Sequence, residues 1–599
     1  MTRLSSVCSF RCFPAMLLAA WLAGCSGGFE RIDRNVDALL QDTTSDMQGQ
    51  VTPSITRLHD EPTANGPGAD RLAERLPTRN PAASDLTYTP QRDVQELTQH
   101  FGQESIELDE AMEMDLNAAL VYAMRNSREY RFAEEEYVLA ALRLLIERHL
   151  WGPRFFNDTS AIFTAAGDDG FFDTSMRVVN ELSVTQRLPY GGQVSASALA
   201  RASEDLHRRV SNGGSQSADI IVSAQVPLLR GAGHVAREGR IQAEREVIYA
   251  ARQFEQFRRE FLFSVTTDFL GLVVQSQAID NARRQVESLE WLEARAQSFL
   301  ETGRETAIDL ALAQRSTLFA RDTLNGQIES FRLSLDRFKV RLGMPLDQPL
   351  AIVRSNPELP VPDVTLEEAV RRALTYRLDL QSRRDQLDDA RRRLDNARNA
   401  LLPDLNISGS AGMSTDPSKR RGGLGFQPEN SDFEAAITLG LPLDREIERI
   451  GVRQAQISLE RSVRDYQQFR DQLAVETRGA VRAIGQATFS VRIQEENVRI
   501  AERAEEAIRA DPDRATPRDR TEAVDALLRA QDQLDRAKRD LQVAILRYLL
   551  QSGQLRVSSD GTIQPLRGMD DFDADPQDAL PDEVPQTPPD ELLIESDAA

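Results

Sequence analysis

Few residues in this chain have the type and spacing that chemistry needs. The five histidines, His59, His100, His149, His207 and His234, are scattered, with no HExxH pair and no His–Cys spacing suited to zinc. No GxSxG turn presents a nucleophilic serine. Gly231-Ala232-Gly233 lacks the third glycine and the Lys-Ser/Thr ending of a phosphate-binding loop, and reads as a turn between a strand and a helix. Carboxylates abound on charge-rich helical stretches. Among them Asp519 and Glu522 are three residues apart, which puts both on one helix face, with Arg518 and Arg520 beside them. No catalysis, metal or dissociable cofactor is expected.

Cys25 is the exception. Arg3 and Arg11 precede an apolar stretch from Phe13 to Leu22, too short to span a membrane as a stop-transfer helix, which ends in Leu22-Ala23-Gly24-Cys25. The tetrapeptide resembles the lipobox of bacterial lipoproteins, which implies removal of residues 1–24 and covalent lipid on Cys25. Two or more acyl chains anchor stably where one does not. Cys8 and Cys12 leave with the leader, so no intramolecular disulfide remains possible. Ser26 in place of an Asp favours the outer membrane within that class.

The elements around these residues follow from composition and periodicity. The 599 residues carry 72 Lys plus Arg against 94 Asp plus Glu, a net charge of −22 that argues against nucleic acid as a partner. No run of about eighteen apolar residues is evident beyond the N-terminus, which excludes a polytopic helical membrane protein. Residues 25–107 are polar and Pro-rich and read as an extended arm, and 557–599 as a disordered acidic tail, with eleven acids and no base from Asp570 onward.

Between them lies a duplication, 108–350 and 351–556. An offset of 250 superimposes Ala119, Ala123, Ala140, Leu144 and Pro153 on Ala369, Ala373, Ala390, Leu394 and Pro403. An offset of 210 superimposes Asp309, Leu318, Ala320, Leu324, Phe338 and Gly343 on Asp519, Leu528, Ala530, Leu534, Tyr548 and Gly553. The change in offset leaves about forty extra residues in the first copy. Each copy reads helix, strands, very long helix, helix, with Val235 to about Leu300 and Glu446 to about Arg509 the longest, rods of roughly 100 Å at 1.5 Å per residue. Small residues such as Ala313, Ala320, Ala523 and Ala530 on the apolar stripes suit close packing as in coiled coils. Phe433 to Leu441, Leu405 to Gly409 and Ile220 to Val226 alternate apolar and polar with period two, as membrane strands do. Too few strands exist to close a wide barrel in one chain, and open edges are not tolerated in lipid, so copies from other subunits are required.

On these residues the chain resembles the TolC-like outer-membrane efflux channels, lipid-anchored OprM-like members included, over about 108–556. The residues that carry the resemblance are the repeated Leu-x-x-Ala-x-x-x-Ala openings at Leu116 and Leu366, the Leu-Leu-Pro-Asp-Leu junction at Leu401 to Leu405, the strand-to-helix Pro227 and Pro442, and Gly303 followed by Asp309, Ala313 and Gln314. The resemblance implies a mostly α chain that contributes strands to a trimeric membrane β-barrel, continued by a periplasmic α-barrel, with four strands per subunit and twelve in all. The extra residues, about Met176 to Arg208, either add a hairpin to each subunit or lengthen strands and a loop. It also implies a passive duct in the outer membrane that meets a periplasmic adaptor and an inner-membrane pump or secretion ATPase. The family's acidic tip pair falls on Asp519 and Glu522, with Asp309 alone in the first copy because Leu312 replaces the second acid. Arg518 and Arg520 would support that gate, and Gly303, Ala510 and Pro517 mark the adaptor-facing tip. The rival from another class is a non-conducting periplasmic coiled-coil scaffold lipoprotein.

Overall fold

A computed structural model describes residues 28–46, 112–168, 171–205, 215–354, 359–415, 426–510, 516–557 and 563–565. In chain order its elements are α1 (Gly28–Asp46), β1 (Met112–Met114), α2 (Leu116–Asn126), α3 (Arg128–Leu150), β2 (Arg154–Asp168), β3 (Phe171–Arg187), β4 (Gln193–Asp205), β5 (Ser215–Pro227), α4 (Glu238–Glu301), α5 (Ala307–Leu342), β6 (Leu350–Ile352), α6 (Leu366–Tyr376), α7 (Leu378–Asn399), β7 (Asp404–Thr415), β8 (Phe426–Gly440), α8 (Glu446–Ala510), α9 (Pro517–Gln551), β9 (Leu555–Val557) and β10 (Ile563–Pro565).

The duplication is plain in the lengths. Helices of 11, 23, 64 and 36 residues in the first copy answer to 11, 22, 65 and 35 in the second. Four of the five positions matched by the offset of 250 are core positions: Ala119, Ala123, Ala140 and Leu144, and equally Ala369, Ala373, Ala390 and Leu394, are buried. Asp115 and Thr365, 250 apart, cap α2 and α6 by accepting from the amides of Ala118 and Glu368. One sequence expectation is corrected here. Gly28–Asp46, inside the arm read as extended, is helical, and Val36 and Leu40 within it are buried. The middle of α4 is apolar enough to cross a membrane by composition; its Phe261, Leu262, Val265, Phe269 and Leu270 are instead buried core, Phe261 beside Tyr130 and Phe269 beside Phe338.

The contacts divide the chain into two compact units that cut across the repeats. The first unit, formed by residues 1–80, 133–254 and 381–467, contains one antiparallel six-stranded sheet in the order β2-β3-β4-β5-β7-β8. The strand pair contributed by the second copy joins the four from the first where β5 pairs with β7, from Asp219↔Ser414 to Pro227↔Asn406. The open question about the extra residues is thereby answered as a hairpin: among the described residues this sheet has six strands, not four. The second unit, residues 81–132, 255–380 and 468–599, packs the remaining lengths of the long helices with α2, α5, α6 and α9. There Val286, Leu289 and Ala320 form one apolar cluster between α4 and α5, and Ala369, Ala480, Ile484, Ile545 and Tyr548 form another among α6, α8 and α9.

Candidate functional site

The sheet has two chemically different faces. Cross-strand pairs Leu405↔Leu439, Ile407↔Ile437 and Ala411↔Phe433, then Val226↔Ile407, Val222↔Ala411 and Ile220↔Met413, share one side. That side continues through Ala196↔Val222, Leu182↔Ala198 and Phe155↔Val184 to the far edge. Its large apolar groups are uncovered in the single chain: Phe433 is 80% exposed, Ile437 73% and Phe155 71%. The opposite side carries Ser408, Ser410, Ser223, Gln225, Ser195, Ser197, Arg201 and Asp219, with the Ser195 and Ser223 hydroxyls 2.7 Å apart and Arg201 paired to Asp219 at 2.9 Å. Phe156, Ile162, Val179, Leu199 and Ile221 interrupt the polar side. One apolar and one polar face, alternating residue by residue, is the pattern of a strand wall between lipid and water.

The helical tip is built twice from one device. Thr306 precedes α5 and Thr516 precedes α9, each in an extended conformation that aims its side chain at the first turn. Asp309 Oδ2 accepts from the Thr306 amide at 3.0 Å and its hydroxyl at 2.7 Å, while the Asp309 amide donates to Thr306 Oγ1 at 3.3 Å. Asp519 and Thr516 repeat this arrangement with the same three distances. Both expected gate aspartates are thus the closing acids of capping boxes. The hydrogen bonds from Thr306 and Thr516 hold their carboxyls below the usual Asp range, with a smaller contribution at Asp519 from Arg518 and Arg520. Glu522 is exposed one turn on, and Leu312, its counterpart in the first copy, is 45% exposed.

Arg520 reaches across to the other tip turn, 3.7 Å from Glu305, both side chains largely covered. Gly303, with φ of 71°, ends α4: its amide bonds to the Leu300 carbonyl and that of Arg304 to the Phe299 carbonyl. Arg295 and Arg304 both lie over the Phe299 ring. Ala510 ends α8 and Pro517 opens α9 at the position where a missing N–H costs nothing. Residues 511–515 between them, Cys25 and its leader, and the acidic tail beyond Pro565 lie outside the described residues.

Because the folded pKa of Asp519 lies below the unfolded value, the cap contributes stability above the ordinary Asp pKa of about 3.9 and loses it as pH falls through the depressed value. The tip should therefore hold at pH 5 and fray only in stronger acid. Thr516→Ala should weaken the first turn of α9 by about 1 kcal/mol at neutral pH. Hydrogen exchange of the amides of residues 518–520 measures both effects; unchanged protection in the variant would remove the cap from the account.

A feature the sequence reading missed is a seven-residue stripe on α5. Leu312, Phe319, Leu333 and Val340 are all exposed, with Gly326 at the remaining position of the series. Phe489, Ile493 and Ile500 are exposed likewise on α8. Apolar positions repeating every seven residues on an uncovered helix are the seam of a coiled coil. The signal lies in the sequence, but the buried stripes on the same helices mask it.

The described residues combine long paired helices with an open six-stranded sheet that has one apolar face. Residues 369–548 match the family model described as outer membrane efflux protein. The fold is similar to that of the Campylobacter jejuni CmeC outer membrane channel, at 15% identity and a TM-score of 0.56 over 77% of this chain and 88% of that one. It is similar also to the Vibrio cholerae outer membrane protein VceC, at 15% identity and 0.56 over 73% and 96%, and to the Neisseria gonorrhoeae MtrE outer membrane channel, at 14% and 0.52. No curated protein matches the chain in sequence. The matched residues lie within the second copy, and the fold of the chain is that of the TolC-like channels.

Proposed function

We propose that the protein is one subunit of a homotrimeric efflux duct in the bacterial outer membrane, anchored by lipid on Cys25 and reaching into the periplasm. The duct is passive; a periplasmic adaptor and an inner-membrane pump or secretion ATPase supply selection and energy. The observation that carries this reading is the uncovered apolar face of the six-stranded sheet, running from Phe155 to Leu439 between two edges that are unpaired among the described residues. A soluble scaffold would have to cover that face and both edges with protein.

The exposed stripes on α5 and α8 supply the subunit contacts in the helical part. Phe319→Asp combined with Leu333→Asp should convert the trimer to monomer, read by native mass in detergent; a persistent trimer would place the subunit contacts elsewhere.

At the tip, Asp519, Glu522 and Asp309 with Arg518 and Arg520 narrow the duct, and Gly303, Ala510 and Pro517 mark the turns that meet the adaptor. Like charges repeated about a symmetry axis repel, so closure needs a pairing such as Arg520 with Glu305 to hold it. Planar-bilayer recordings test duct and gate together. Asp519→Ala plus Glu522→Ala should raise conductance and reduce cation preference severalfold, whereas Thr516→Ala, which loses the cap and keeps the charge, should alter selectivity little. A lipidated, folded preparation that never inserts would instead favour the scaffold.

A further inference from the structure

We propose that three copies close a barrel of eighteen strands, with β8 of one copy pairing antiparallel to β2 of the next, and that the membrane part of the duct is therefore too wide to select small solutes. The inference rests on the trimeric-channel reading and goes beyond it in assigning the subunit edge and the aperture. Twelve strands, the number the family resemblance implies, would leave one hairpin of each subunit outside the wall.

Three observations place β2 and β3 in the wall. Their ladders are complete: fifteen residue pairs join β2 to β3, from Arg154↔Thr185 to Asp168↔Phe171, and thirteen join β3 to β4, from Ser175↔Asp205 to Arg187↔Gln193. The two-faced pattern continues across them, with Phe155, Phe163, Val178, Leu182 and Val184 on the apolar side and Arg154, Asp158, Arg177, Glu181 and Thr185 on the other. Asn157, Thr159 and Asn180 fall on the apolar side, but they bond to one another, Asn180 donating to Asn157 at 2.9 Å and to Thr159 at 2.7 Å. Last, the free edges match. The strands β2 and β8 are 15 residues each and are first and sixth in an antiparallel meander, so they run in opposite directions and can pair antiparallel across a subunit boundary. A hairpin shed from the wall would instead expose a new edge and an apolar face with nothing to cover them.

The width follows from strand geometry. At about 4.8 Å between strands and a tilt of about 40°, each strand takes about 6 Å of circumference, so eighteen strands give a backbone diameter of about 36 Å against about 24 Å for twelve. Barrels of sixteen to eighteen strands leave an open aqueous channel. Discrimination by size must then lie at the helical tip.

Cross-linking in native membranes decides the matter, because Cys8, Cys12 and Cys25 are the only native thiols. Side chains on one face pair only with the same face, so Ala435→Cys is combined in turn with Asn157→Cys, Thr159→Cys and Ala161→Cys, which spans a two-residue slip in register. Oxidation should link one of these pairs between chains into a covalent trimer, while Ser160→Cys, on the polar face, and every single-cysteine parent should stay unlinked. Efficient linkage of Ala435→Cys to Ala198→Cys on β4 would overturn the proposal in favour of twelve strands. A trimer by native mass in which neither β2 nor β4 links to β8 would overturn it as well. A monomer by native mass would sink the channel reading itself, an outcome separate from the strand count.

Discussion

Glu255→Gln is expected to destabilise the protein by about 3–5 kcal/mol, the scale for removing one partner from a buried ionic group. Glu255 accepts from Arg258 at 2.8 Å and from Arg259 at 3.0 Å, and all three residues are buried, Arg258 to 1% exposure. Burial alone would push the Glu255 carboxyl up, but the two guanidinium groups outweigh it and the net direction is down. Arg556, at β9, belongs to the same neighbourhood: burial, then Arg259, push it down to about 10, with Glu255 opposing. One carboxylate thus offsets more than one buried cation, and glutamine keeps its shape while removing its charge. Thermal unfolding in detergent should show the loss, and Arg556→Gln added to Glu255→Gln should recover part of it by removing one of the cations left uncompensated. A single substitution that leaves the transition where it was would show that water already reaches this cluster. The linkage has a definite sign: with a depressed folded pKa, Glu255 stabilises above the unfolded Glu value of about 4.3 and ceases to as pH falls through the depressed one.

Gly343→Ala should cost about 3 kcal/mol or more, since two separate penalties combine. Gly343 ends α5 with φ of 77°, where an L side chain pays about 1–2 kcal/mol. An added Cβ would also lie far inside contact distance of the Asn126 carbonyl, backbone that has little room to move. Gly553 repeats the arrangement 210 residues later, at φ of 73°, against the carbonyl of Tyr376, itself 250 residues after Asn126, with a milder approach of 2.9 Å. The first substitution should therefore lower the unfolding midpoint more than Gly553→Ala. Equal effects would mean that backbone conformation alone sets the cost.

This pair of glycines also shows how the duplication is held in physical terms. Each copy locks the end of its fourth helix onto the end of its first through a position where no side chain fits. Only the repeat in sequence was visible beforehand; the contact that requires it was not. The buried charges went unread for a related reason. Glu255, Arg258 and Arg259 sit in a helix dense with Arg and Glu, where such spacing ordinarily marks a solvated face; the tertiary structure instead buries them, with Arg259 donating to the Gly553 carbonyl just beyond α9.

Much was determined by the sequence alone: the helices, from a 3.6-residue period sustained over sixty-odd positions; the duplication, from two constant offsets; the two-faced character of β5, β7 and β8, from period-two alternation. Those are local properties, set by which side of an element meets water. Even the caps are local, for Thr306 with Asp309 and Thr516 with Asp519 carry the three-residue spacing of a capping box, although that spacing does not say whether the acid also faces a duct. The number of strands was decided only by the tertiary structure. In β2, Phe155 adjoins Phe156, Ile162 adjoins Phe163, and Asn157 and Thr159 occupy the apolar side, so its alternation is blurred. A strand of that kind is specified by its ladder to β3 and not by its own pattern, because pairing and register are non-local, and the partner that bonds to Asn157 and Thr159 lies more than twenty residues away on the neighbouring strand.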